Sequence, residues 1–169
     1  MRYPLFLRSS VLLFAGAATV LAAVAIAGAA AKDDLTLIYF CLGWWLLATV
    51  AGVWAGRREE VMRGVARLLA GARAATSLPE LEPGAILFNR LWALAVITIA
   101  AGAVAFLIPQ VPAVAAGYAI AVALAWRKQY RAVEAIEHRD GVQFHVEQTS
   151  PFKPTRLVRT AGLRKVEPV

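Results

Sequence analysis

Four long apolar stretches, parted by short polar or basic segments, organise the chain: about Val11 to Ala31, Leu35 to Gly56, Leu91 to Ile108 and Val111 to Trp126. A helix rises about 1.5 Å per residue and a bilayer core is about 30 Å thick, so some 20 apolar residues make a crossing. The first two stretches reach that length with no charged residue, and the last two lie near the short end of the range. Pro109-Gln110-Val111-Pro112 separates the last pair. Two prolines so close together stop one helix and start the next. The pattern predicts an all-α integral membrane protein with four transmembrane helices arranged as two hairpins, 11–56 and 91–126.

The intervening segments carry their own periodicity. Residues 1–10 form a short N-terminal flank. In the loop 57–90, Val61, Met62, Val65, Leu68, Leu69 and Ala72 recur at helical spacing, with Arg63 and Arg67 four apart on another face. That spacing predicts an amphipathic helix over about 59–75 lying in the membrane interface, its arginines reaching anionic headgroups. Ser77 to Gly84, with Pro79 and Pro83, reads as a turn-rich return. In the tail 127–169 the helix is expected to run to about Asp140, where Gly141 offers a stop. Val142, Phe144 and Val146 then alternate with polar residues, predicting a strand over about 142–147 that Pro151 and Pro154 break. Leu157-Val158 suggests a second strand, although one hairpin alone is marginally stable.

Composition supports the membrane reading and charge orients it. Hydrophobic residues make up 60% of the 169 positions, above the 45–50% or so of soluble domains. Arginine outnumbers lysine and alanine and glycine abound, a balance common in GC-rich bacterial genomes. The net charge of +7 lies in blocks beside the apolar runs, not in a nucleic-acid-binding stripe. All lysines and arginines except Lys32 fall on the N-terminal flank, the middle loop or the tail. The positive-inside rule therefore places both termini on the cytoplasmic face of a cell membrane. Trp54, Trp92 and Trp126 fall at the cytoplasmic ends of three spans as an aromatic belt, which Tyr3 and Tyr130 extend. Arg2 and Arg8 before the first run, and Ala29-Ala30-Ala31 after it, also resemble a secretory signal. The run exceeds the usual 7–15-residue signal core, which favours an uncleaved helix; cleavage would leave three spans.

Several residues stand out as sites. Gly52 and Gly56, with Ala113, Gly117, Ala121 and Ala125, form small-residue stripes that let two helix backbones approach, within the chain or between chains. Arg57, Arg58, Arg63, Arg67 and Arg73 make a surface for anionic lipid. Trp44 and Trp45 lie about 15 Å into the second span, too deep for a belt. With Tyr39 they form either an apolar-ligand wall or bulky filler opposite small residues. Glu134 and His138, four apart, read as an exposed pair. Cys41 is the lone cysteine, so an internal disulfide is excluded. No cofactor or metal motif is present in the sequence.

No Asp, Glu, Lys, Arg or His occurs within the four stretches. Ion-coupled transporters and charged-pore channels place such groups there, so these classes are disfavoured. The first expectation is a structural or accessory subunit that assembles through small-residue faces with itself or another membrane protein. The alternative is a carrier or flippase for a lipid or small apolar solute, which requires a lipid-sized cavity between spans. An enzyme would need polar groups such as Glu59, Glu60, Asn89, His138 and His145 to converge at the interface.

Overall fold

The computed structural model describes residues 1–74, 83–105, 107–147 and 156–161. In chain order its elements are α1 (Tyr3–Ala30), α2 (Leu35–Ala55), α3 (Glu59–Ala70), β1 (Arg73–Ala74), α4 (Pro83–Val104), α5 (Gln110–Asp140), β2 (Val142–Val146) and β3 (Leu157–Ala161). The expected return through Ser77 and Pro79, and the breaks at Pro151 and Pro154, lie outside the described residues, as do the side chains of Glu60, Val61 and Met62.

Helix boundaries follow local chemistry. Asp34 caps α2, its Oδ1 accepting from Leu37 N–H at 2.9 Å, which satisfies one of the donors left open at a helix start. Asp33 sits in the left-handed region at φ 49°, a conformation short polar side chains tolerate, and so closes the turn from α1. α5 stops where Gly141 adopts φ 61° and ψ 32°, the conformation that glycine reaches without penalty.

α5 is the centre of the bundle. It runs antiparallel to α1 along nearly its whole length. Arg2 meets Glu137 at one end, Phe14 meets Trp126, Leu21 packs with Ala116, and Gly28 faces Pro109 at the other end. It runs parallel to α2, where Trp45 meets Ala113, Gly52 meets Ala121 and Gly56 meets Ala125. α1 and α2 approach each other far less than each approaches α5, and α4 touches the bundle along a narrower strip. Helices adjacent in sequence are therefore not the principal packing pairs: α5 sits against both members of the expected first hairpin. Small residues on α2 and α5 permit this, because close backbone approach there gives more van der Waals contact than α1 offers α2.

The bundle places small residues inside and large ones outside. Ala25, Ala29, Cys41, Ala48, Ala113 and Ala116 are buried, whereas Leu12, Leu46, Leu47, Val50 and Ile99 are exposed. Water would penalise that arrangement; hydrocarbon does not, and there helices associate through small-residue packing. Three helices, Tyr3–Ala30, Leu35–Ala55 and Gly84–Val104, are long and apolar enough to cross a membrane. The apolar part of α5, from Val111 to Trp126, is shorter, about 24 Å by helical rise.

At one end of the bundle the chain builds a small mixed module. Its sheet has the order β1-β3-β2, with β1 parallel and β2 antiparallel to β3. The start of the chain covers the other edge of β2: Val146 N–H donates to the Met1 carbonyl at 2.9 Å, and Arg2 bridges His145. Beneath the sheet Met1, Tyr3, Phe6, Leu7, Val65, Leu69, Ile86, Val133, Phe144 and Leu157 form one buried cluster. Each such side chain contributes about 1.5–3 kcal/mol on burial, enough to hold strands that would be marginal alone.

This module bears on three expectations. On the apolar face of α3, Val65 and Leu69 are buried against protein. Tyr3 belongs to the module's core and Tyr130 packs at its margin. α1 begins at Tyr3 because its first turns are needed to close that core, so the helix extends well beyond the apolar run that starts at Val11.

Candidate functional site

α1 and α2 each close directly on α5, but α4 has an apolar groove on each flank. The larger, about 900 Å³, lies between α4, α5 and α1. Ile97 and Ala100 of α4 line one wall, Val114 and Tyr118 of α5 the other, and Leu21 of α1 the floor. The smaller, about 420 Å³, lies between α4 and α1 beside Leu13, Trp92 and Ile99. Both volumes lie within or near the roughly 300–1,000 Å³ of small-molecule sites. Along α4 the larger groove extends from Arg90 to Val104, about 21 Å by helical rise and longer than one leaflet's half of the core. Arg90 and Trp126 stand at the end nearest the sheet, and Gln110 at the far end. Between them the polar groups are few: Thr98, whose hydroxyl donates to the Leu94 carbonyl at 2.7 Å, and Tyr118, set edge-on to Trp44 at 5.7 Å.

The small-residue stripes face each other inside the chain. A Cβ on Gly52 would stand 2.7 Å from Ala121 Cα, and one on Gly56 3.2 Å from Ala125 Cα. Gly117 lies under the indole of Trp44, leaving no room for a side chain, and Ala113 is fully buried. The two indoles fasten the same seam. Trp44 Nε1–H donates to the Val114 carbonyl at 3.2 Å and Trp45 Nε1–H to the Ala113 carbonyl at 2.9 Å. An indole N–H without a partner in hydrocarbon would cost several kcal/mol. Tyr39, 71% exposed, points away from this seam, so the structure does not gather it with Trp44 and Trp45 into one wall.

The basic segment separates into distinct environments. Arg58 lies over the Trp54 ring at 3.8 Å, a cation–π contact at the end of α2. Arg63 pairs with Glu59 at 2.7 Å, and Arg57 is exposed. Arg67 and Arg73 turn instead toward the sheet, where they line a cleft with Arg156.

Other polar candidates are scattered. Glu134 and His138 are both exposed and no ion pair joins them, while His145 is buried in the module. Burial pushes the His145 pKa below the usual histidine value; the chain's terminal ammonium and Arg2 push the same way, and Glu137 opposes them. Among the described residues no group of three or more His, Cys, Asp or Glu could hold a metal ion. The sequence reading missed Glu137, which is 6% exposed. Its Oε2 accepts from Arg2 at 2.7 Å and its Oε1 from Phe144 N–H at 2.8 Å, joining the start of the chain to β2. It was legible only as one of three acids on a solvated helix, because its partners lie 135 residues upstream and 7 downstream.

The fold defines a mostly helical protein with three helices able to cross a membrane and a small sheet at one end. No protein-family model, curated protein or solved structure matches the chain.

Proposed function

We propose that α5 is a fourth crossing, that the sheet end lies on the cytoplasmic side of a cell membrane, and that the chain carries or translocates a lipid or similarly long apolar molecule along the groove beside α4. Parity supports the fourth crossing. Met1 and Arg2 touch Val146 and Glu137, so the start of the chain and the end of α5 lie on one side. Three crossings would put them on opposite sides; four return the chain to where it began. The arginine-rich flanks support the cytoplasmic assignment.

The observation that carries the lipid reading is the large groove itself. It is apolar between its ends, has Arg90 at the end nearest the sheet, and extends past the length of a single leaflet. An acyl chain can lie along it without exposing a charge to hydrocarbon, and no ionisable side chain is required on the path. The accessory-subunit reading has less behind it. Its small-residue faces are occupied within the chain, α2 against α5, and so do not offer a second protein the flat surface that motivated it.

The test is a diazirine-tagged phospholipid in nanodiscs holding the full chain. Crosslinks should concentrate at Ile97 and Val114, severalfold above outward-facing Leu46 and Val50. Ala100→Phe, which adds bulk at an exposed groove position, should remove most of that excess. Equal labelling at all four positions would end the proposal.

A further inference from the structure

We infer that the cleft between the end of α3 and the sheet is a binding site for a phosphate group, held by Arg67, Arg73 and Arg156. This rests on different residues from the α4 groove, and either can fail without the other. The cleft measures about 350 Å³ and is lined by the last turn of α3, by β1, and by the facing ends of β2 and β3. Three backbone features converge the arginines. Arg67 lies one turn before the Gly71 cap of α3. Arg73 opens β1 and pairs in register with Val158 of β3. Arg156 immediately precedes β3, where its carbonyl accepts from Glu147 N–H at 3.0 Å and fixes the end of the β2–β3 ladder.

Among the described residues the charge lining the cleft is unbalanced: Glu147 is the one carboxylate, against three guanidiniums. None of the ion pairs among the described residues involves Arg67, Arg73 or Arg156, while neighbouring Arg58 and Arg63 are already engaged with Trp54 and Glu59. Like charges around one cavity repel, and the fold gains nothing from gathering them unless an anion joins them. Guanidinium is suited to that anion: its planar fork of donors matches phosphate oxygens two at a time. The three side chains are exposed at the cleft rim, so a ligand can enter from solvent or from the headgroup layer. The shared chemistry is a phosphate monoester or diphosphate, either on a lipid headgroup or free.

The experiment measures thermal stability and binding of the full chain in neutral detergent at low salt. One arm adds inorganic pyrophosphate. The other places the protein in nanodiscs of phosphatidylcholine with or without phosphatidic acid. Stabilisation by pyrophosphate indicates a free phosphate ligand, and stabilisation by phosphatidic acid alone indicates a lipid headgroup. In either case R73Q with R156Q should weaken binding by at least tenfold, and K128Q, which removes an exposed charge outside the cleft, should leave it within twofold. The three substituted side chains are exposed, so these variants should retain the fold. No response in either arm, or equal loss from K128Q and the cleft double variant, overturns the proposal.

Discussion

Gly52→Val should lower the stability of the helical bundle by about 3 kcal/mol, roughly 10 °C in melting temperature. The reason is geometric. A Cβ at position 52 would lie 2.7 Å from both the α carbon and the carbonyl oxygen of Ala121, and these are backbone atoms that cannot swing aside. Relief requires α2 to move off α5, which lengthens the two indole hydrogen bonds to Val114 and Ala113 on the same seam. Gly43→Val on the same helix is the control. A Cβ there meets nothing within 4 Å, so its cost should stay within about 0.5 kcal/mol. A melt in mild detergent followed by Trp fluorescence reads both. Equal losses at the two glycines would mean that α2 and α5 do not pack as described.

The second large effect is at Glu137. Glu137→Leu removes two acceptors together. Phe144 N–H is left buried without a partner, and Arg2 loses the carboxylate that ties the first turn of α1 to the end of α5. Breaking a buried pair of this kind costs about 3–5 kcal/mol, and the half-exposed Arg2 side chain brings the expectation down to about 2 kcal/mol. Glu137→Gln keeps a carbonyl for Phe144 N–H and should cost about 1 kcal/mol. The readout is limited proteolysis. In Glu137→Leu, cleavage between Gly141 and Ala161 should accelerate ahead of any cut in α1, α2 or α5. Unchanged protection would mean that the hydrophobic cluster alone holds the module.

The sequence discloses whatever is local. Apolar run lengths locate the helices, Gly141 marks the end of α5, and the alternation Val142-Phe144-Val146 marks a strand. Two features were out of reach because they depend on tertiary pairing. The apolar stripe of α3 looks the same whether it meets lipid or protein, and only the presence of the sheet decides that Val65 and Leu69 face protein. β1 is two residues long and exists because β3 offers it an edge, so no periodicity could announce it. The pairing of helices follows the same logic. Adjacent spans suggest hairpins, but the small residues of α5 match those of α2 and admit α5 between its predecessors. At the candidate sites, Arg90 and Arg156 were visible only as topology charges. Their significance depends on what lies opposite them, which spacing along a single helix does not encode.

The measurement that bears most directly on the account is the sidedness of α5. In a Cys41→Ala background, single cysteines replace Lys32, Gln110 and Lys128, three exposed positions: the first two at helix ends, the third just past the apolar part of α5. Intact cells are treated with a membrane-impermeant maleimide before and after permeabilisation. Four crossings require positions 32 and 110 to label from outside, and position 128 only once the membrane is opened. Labelling of 110 and 128 from the same side would leave α5 uncrossed, and both the parity of the chain and the groove's access to lipid would be lost with it.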